Sequence, residues 1–280
     1  MSNKIKKIDK RSIAVVTTFS QKGYIAHGHK MIQTFDRKWP KNVDLYVYYE
    51  NKKPNIKSKR IHYINIEDAC TELVDFKKKW DNDPRAHGRK SEKRFGYKWM
   101  AIKFSHKVYC VAHAAKSIPH DILVWLDADT VSKGWVSNKF IHSLIPKKFY
   151  CSYLGRGKRH SECGFMAFNI KHKANANFMN KYQWFYDSGE IFDLEQWNDC
   201  YVFDRVRKKM QKRSEIKALD LTPDIRYDNF NIIMDGKMIH LKGSVKSYSK
   251  SQENKIIKKM KKYTFKNNIS RGYKKNQGKG

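Results

Sequence analysis

The 280-residue chain has no apolar run near the roughly 20 residues that a membrane-crossing helix needs. The segment Met1 to Arg11 is basic and leads straight into Ile13-Ala14-Val15-Val16, without the longer apolar stretch and small-residue cleavage site of a secretory leader. The expected location is therefore the cytoplasm, a host's cytoplasm if the chain is viral. Cysteine is sparse: Cys70, Cys110, Cys151, Cys163 and Cys200 are odd in number and form no C-x-x-C pair. That argues against a disulfide framework and a zinc cluster, and suits small buried hydrophobes. No internal repeat is present. Acidic residues are scarce, 27 Asp and Glu against 59 Lys and Arg, which leaves a net charge of +32.

What is present is enough for a folded body. Hydrophobic residues make up 40% and aromatics 14%, too much for a disordered chain. The length fits one large α/β domain or two small ones. An AT-rich genome inflates Lys, Asn and Ile, but it raises Glu as well, and Glu is not raised here. A chain this basic repels itself unless it works against a polyanion. Nucleic acid is the first such partner, and an anionic membrane or envelope glycan the second.

The pattern alternates strands and helices. Ile13 to Thr18 reads as a first strand running into the polar Thr17-Thr18-Phe19-Ser20, and Ala26 to Phe35 as a helix stopped by Trp39-Pro40. Val43 to Tyr49 and Ile61 to Ile66 read as further strands. Residues 81–94 lack an apolar period and read as a long loop. Phe95 to Ala115 reads as a helix, and Asp121 to Leu126 as a strand covered on both faces. Phe149 to Leu154 and Gly164 to Ile170 read as strands around the basic loop Gly155-Arg-Gly-Lys-Arg-His160. Phe178 to Tyr186 and Gln196 to Met210 read as helices, and Met238 to Leu241 as a last short strand. From Lys246 onward there are 12 Lys or Arg and one acid, with a tail helix expected over Gln252 to Tyr263. The expected fold is one α/β domain over 12–248, a mostly parallel sheet flanked by helices. A basic arm, 1–11, and a basic tail, 249–280, flank it.

The chemistry concentrates in two places. Asp127 and Asp129 follow the buried run Ile-Leu-Val-Trp-Leu, where the chain leaves the sheet at a carboxyl edge and ligands of open α/β sheets gather. Two carboxylates there suit Mn²⁺ or Mg²⁺ carrying a diphosphate. The alternative is a turn in which an Asp caps the next segment. Far downstream lies His240-Leu-Lys-Gly243-Ser-Val-Lys246. An imidazole is compatible with Mn²⁺, Gly permits close approach of a phosphate, and Lys supplies a point charge for one.

Together the D-x-D and the late H-x-x-G-x-x-K resemble the GT-A-fold (Rossmann-like) glycosyltransferases, above all the family-eight group. Between them, Glu162-Cys-Gly-Phe-Met-Ala-Phe-Asn169 is similar to that group's acceptor-side strand. The resemblance implies that Asp127, Asp129 and His240 bind the metal, and that Asp127, Gly243 and Lys246 hold the diphosphate of a nucleotide-sugar, a UDP-sugar by expectation. It also places Thr17, Thr18 and Phe19 beside the nucleotide, with Arg94 and Lys98 as further donor contacts. Glu162 stands where the group has Asn, and the group's Asp-Gln-Asp appears only as Glu195-Gln-Trp-Asn-Asp199. Transfer to a hydroxyl needs a carboxylate near the anomeric carbon. The candidates, in order, are Asp199, Glu162 and Glu195.

The charge speaks to the acceptor. Arg156, Lys158, Arg159 and His160 immediately precede Glu162, placed to hold an acceptor's phosphates. Basic residues interleaved with aromatics suit nucleic acid. The expected acceptor is DNA bearing a hydroxymethylated pyrimidine, of the phage base-modifying type, with the base flipped out or unpaired. Two rivals stand beside it: an envelope or lipopolysaccharide glycosyltransferase docked peripherally on anionic lipid through an amphipathic tail, and a non-catalytic nucleic-acid-binding protein.

Overall fold

A computed structural model describes residues 9–223, 225 and 229–241. Its strands are β1 (Ile13–Phe19), β2 (Val43–Tyr49), β3 (Ile61–Asn65), β4 (Arg89–Ser91), β5 (Arg94–Phe95), β6 (Ile122–Leu126), β7 (Thr130–Ser132), β8 (Cys151–Arg156), β9 (Arg159–Asn169), β10 (Ala218–Asp220) and β11 (Met238–His240). Seven of them form one sheet in the order β10-β8-β9-β6-β1-β2-β3. β1 runs parallel to β2 and β6, β2 to β3, and β10 to β8. Only β9 is reversed, antiparallel to β6 and β8. The expected mostly parallel α/β sheet is thus what forms, with β9 as its one reversed strand.

The period-2 alternation of strand side chains splits the core in two. Ala14 and Val16 of β1 join one buried cluster, and Ile13, Val15 and Phe19 the other. The principal helices are α1 (His29–Lys38), α2 (Thr71–Trp80), α3 (Ala101–Ser117), α4 (Asn138–Leu144), α5 (Asn175–Asp187), α6 (Asp199–Lys212) and α7 (Asn229–Ile233). α2, α3, α5 and α6 cover the first face, and α1, α4 and α7 the second. None of them is long and apolar enough to cross a membrane among the described residues.

Several boundaries differ from the sequence pattern. The first helix begins earlier, with Gln21–Gly23 and a π-helical turn Tyr24–Gly28 before α1. α2 and α4 write little apolar period in the sequence, because each places only two side chains in the core. The helix expected from Phe95 starts at Ala101. Tertiary bonds hold the preceding stretch out of it: the Trp99 indole donates to the Glu195 carbonyl at 2.9 Å, and the Trp197 amide to the Lys98 carbonyl at 2.9 Å. Likewise 81–94 is not one featureless loop. Asp83 caps a 3₁₀ turn, Pro84–His87, and β4 and β5 then pair as a small separate hairpin. The tail helix expected over 252–263 lies outside the described residues.

Candidate active site

β6 delivers the first carboxylate. All five of its residues are buried, and the Asp127 amide still reaches the Gly164 carbonyl of β9 at 3.1 Å. The chain then turns, with the Thr130 amide donating to the Asp127 carbonyl at 3.0 Å. β7 follows and pairs antiparallel with β11, Thr130 opposite His240, and the Leu241 amide donates to the Asp129 carbonyl at 3.0 Å. This two-stranded ladder joins the two halves of the site. The ligand atoms of Asp127, Asp129 and His240 all lie within 4.8 Å of one another.

The imidazole is held on several sides. Its Nε2 lies 2.9 Å from Asp129 Oδ1 and 3.5 Å from Asp127 Oδ2, and its Nδ1 lies 3.4 Å from Glu162 Oε1. The His240 amide donates to Asn231 Oδ1 at 2.8 Å, and the Phe230 ring packs edge-on at 5.2 Å. A Cβ at position 164 would lie 2.6 Å from the imidazole, so only glycine leaves room for it. Burial by itself would lower the His240 pKa. The hydrogen bonds to Asp129 and Glu162 and the charges of Asp129 and Asp127 outweigh it and lift the value to about 9.

A lysine that the sequence did not single out completes the charge balance. Lys107 of α3 is buried, and its Nζ lies 2.9 Å from Asp127 Oδ1 and 2.8 Å from Asp199 Oδ2, while also donating to the Cys163 carbonyl. Burial disfavours the ammonium, but Asp127 and Asp199 hold it charged, well above the ordinary lysine range. The two acids diverge. Burial pushes both up. Lys107 and then His240 outweigh it at Asp127 and lower its pKa, whereas Asp199, fully enclosed and facing the Asp127 charge, stays raised despite Lys107. The available signal for Lys107 was a lone lysine on the otherwise apolar face that carries Val108, Cys110 and Val111.

The other expected residues are distributed around this centre. Asp199 opens α6, whose cap is Asn198 Oδ1 accepting from the Tyr201 amide at 3.0 Å. Glu162 lies buried on β9 against His240, not open to an acceptor. Glu195 is exposed, and its backbone carbonyl is what is engaged, by Trp99 and by Lys90 Nζ at 3.1 Å. Thr17 is buried with its hydroxyl unpartnered, Thr18 Oγ1 donates to the Tyr48 carbonyl at 2.7 Å, and Phe19 packs in the core against Tyr24. Arg94 and Lys98 are exposed. Lys158 and Arg159 are exposed at the tip of the β8–β9 hairpin, where Gly157 has φ 61°. Arg156 turns inward instead, donating to the His160 and Ser161 carbonyls at 2.6 and 3.2 Å. His160 Nε2 lies 3.1 Å from Gln196 Nε2, which ties this hairpin to the strip leading to Asp199. Gly243 and Lys246 lie outside the described residues.

Four cysteines are buried and all five are free, as small hydrophobes should be. Cys163 and Cys200 do approach Asp199 closely enough to form a second possible ligand set. That carboxylate is already taken by Lys107, and burial keeps the Cys163 thiol protonated.

No protein-family model matches the chain, and no curated protein matches it. Among solved structures it is similar to the apo form of the bifunctional glycosyltransferase WbbM, with a TM-score of 0.49 and 13% identity, over 85% of this chain and 47% of that one. It is similar to the apo form of the glycosyltransferase GlyE of Streptococcus pneumoniae TIGR4, with a TM-score of 0.42 and 13% identity, over 76% of this chain and 46% of that one. It is also similar to apo mouse xyloside xylosyltransferase 1, with a TM-score of 0.49 and 8% identity, over 85% of this chain and 99% of that one. The chain thus spans about half the length of the first two.

Proposed function

We propose that the chain is a metal-dependent glycosyltransferase that moves a sugar from a nucleotide-sugar, a UDP-sugar, to a hydroxyl acceptor, and that this acceptor is a hydroxymethylated pyrimidine in DNA. The observation that carries the enzymatic part is the convergence of Asp127, Asp129 and His240 at the carboxyl end of β6. Two carboxylates and one imidazole form a hard, oxygen-rich donor set that fits Mn²⁺ or Mg²⁺ and contains no thiolate. A bound divalent ion supplies charge neutralisation at the leaving diphosphate.

The chain's own groups prepare the rest. Glu162 engages Nδ1 of His240 and leaves Nε2 facing the two aspartates, so the ring is oriented before a cation arrives. Lys107 keeps Asp127 ionised. Gly243 and Lys246, beyond β11, take the diphosphate, and the end of β1 borders the nucleotide, with Thr18 rather than the enclosed Thr17 partly open there. Arg94 and Lys98 are exposed cations and serve as further donor contacts on this reading. In the transfer the bond from the anomeric carbon to the diphosphate oxygen breaks, and a bond from that carbon to the acceptor oxygen forms. The acceptor's proton passes to a carboxylate. The three candidates differ in access: Asp199 is enclosed and paired with Lys107, Glu162 is enclosed against His240, and Glu195 alone of the three is exposed. The exposed cations of the β8–β9 hairpin favour a polyanionic acceptor.

The test is Mn²⁺-dependent hydrolysis of UDP-sugars by the full chain, followed by transfer to hydroxymethylated DNA. Asp129→Ala is expected to lower hydrolysis by about 100-fold or more, and Lys259→Ala to leave it unchanged. Equal losses in both, or no hydrolysis of any common UDP-sugar, sink the enzymatic reading. Transfer to glycans with none to DNA sinks the acceptor.

A further inference from the structure

Phe95 and Tyr97 are 73% and 60% exposed, two of the five large hydrophobic side chains left open on the described surface. They sit two residues apart, at the end of the β4–β5 hairpin. Neither exposure helps the fold, since an apolar ring left in water forfeits the gain of burial. The hairpin itself is firmly attached. Lys90 Nζ and the Trp99 indole both donate to the Glu195 carbonyl, and the Trp197 amide donates to the Lys98 carbonyl. Those bonds fasten Lys90, Lys98 and Trp99, on either side of the two rings in sequence, to the Leu194-to-Asn198 strip, which runs directly into Asp199. Tyr97 keeps its exposure although Phe104 packs edge-on against it at 4.8 Å and Lys103 Nζ lies 4.5 Å from its centroid. Crowding, and then the Asp199 and Asp127 charges, raise the pKa of its hydroxyl.

Cations surround the pair: Arg89, Lys93, Arg94 and Lys98 are all exposed. The second basic hairpin joins the same rim through His160 and Gln196. We infer that Phe95 and Tyr97 form a stacking platform that takes the acceptor as an unpaired strand, its bases on the rings and its phosphates on the flanking cations. This deepens the acceptor half of the proposed function and rests on it. Open aromatic faces with interleaved cations match single-stranded nucleic acid. A duplex shows its phosphates but hides its base faces. Charge alone also pulls the other way, because a duplex releases more counterions per phosphate than a single strand. A preference for single strands would therefore have to come from the rings.

The experiment is a fluorescence-anisotropy titration of the full chain, without metal or donor, against labelled oligothymidylate and against a duplex of equal length at one salt concentration. The single strand is expected to bind more tightly. Phe95→Ala should weaken that binding about tenfold, while Phe95→Trp retains it. Duplex affinity, melting temperature and Mn²⁺-dependent UDP-sugar hydrolysis should not change in Phe95→Ala. Equal affinity for the two forms, together with no effect of Phe95→Ala, overturns the inference and leaves a rim that reads charge only. Binding to phosphatidylglycerol vesicles that Phe95→Ala abolishes, without any strand preference, overturns it in favour of a lipid surface. Failure of the parent chain to hydrolyse any UDP-sugar would count against the glycosyltransferase reading alone, since the oligonucleotide titration does not depend on it.

Discussion

β9 carries both halves of the proposed site within six residues, and they are built by opposite means. Arg159 at its start is exposed on a hairpin tip, whereas Glu162 and Gly164 are enclosed against His240. The cation pocket is made by sheet topology. Its carboxylates, imidazole and ammonium are buried or half-buried, and they hold one another, Lys107 between Asp127 and Asp199 and His240 between Asp127, Asp129 and Glu162. The rim is made by short hairpins, held by a few side-chain and backbone bonds to the Leu194-to-Asn198 strip, whose charged ends face water. Substitutions in the pocket should therefore act on stability and chemistry together, and substitutions on the rim on binding alone. Four changes test that division, in falling order of effect.

The largest should come from Lys107→Met. It leaves Asp199 without a counter-charge and Asp127 with His240 alone, and the loss of stability should be about 3–5 kcal/mol. Adding Asp199→Asn should recover much of it, as read by denaturant unfolding. If the single variant is as stable as the parent, the buried ion pairs do not hold this end of the sheet together.

Next is Gly164→Ala, whose added methyl meets the imidazole. Overpacking should remove about 1–3 kcal/mol, and Mn²⁺ affinity by calorimetry should fall roughly 10- to 100-fold through the displaced ring. Unchanged affinity would mean that His240 is not a ligand.

A pH series separates the regions without mutation. The folded His240 pKa is raised to about 9, so its contribution to stability is complete below the ordinary histidine value and is lost as pH rises through about 9. Without metal, stability should decline over that window by at most about 3 kcal/mol. A metal ligand must give up this proton, so Mn²⁺ affinity should rise over the same window with release of one proton. Melting curves with and without Mn²⁺ should diverge as pH increases. Curves that stay parallel would remove His240 from the metal site.

The smallest effect belongs to Lys158→Ala on the rim. Stability and UDP-sugar hydrolysis should stay as in the parent, while the salt dependence of DNA binding becomes shallower by about one phosphate contact, roughly 0.7–0.9 in the logarithmic slope. A change in hydrolysis would show that rim and pocket are not separate.

How much of this was legible in the sequence follows from how local each feature is. β2 lies where its alternating apolar residues put it, and β6 within one residue, because a strand buried on both faces writes a continuous apolar run. The helix expected from Phe95 did not, since bonds to Glu195 and Trp197, about a hundred positions away, hold 97–99 in a 3₁₀ turn. Asp127 and Asp129 were visible as a motif. Lys107 was not, because a lysine gains its meaning only when helix packing points it at two acids. Glu162 stood out by position, but its contact with His240 depends on the β7–β11 pairing, which no local pattern encodes.

That pairing has a consequence for the order of events during synthesis. β11 is the last strand among the described residues, and it supplies the imidazole by closing against β7 far upstream. A nascent chain can therefore assemble most of the main sheet, its two apolar clusters and the Lys107 ion pairs before residue 240 leaves the ribosome. On the proposed reading, cation affinity would then arrive late, as a report that the chain has been made at least that far. A product truncated before His240 would hold folded architecture and two carboxylates, yet no finished seat for the ion.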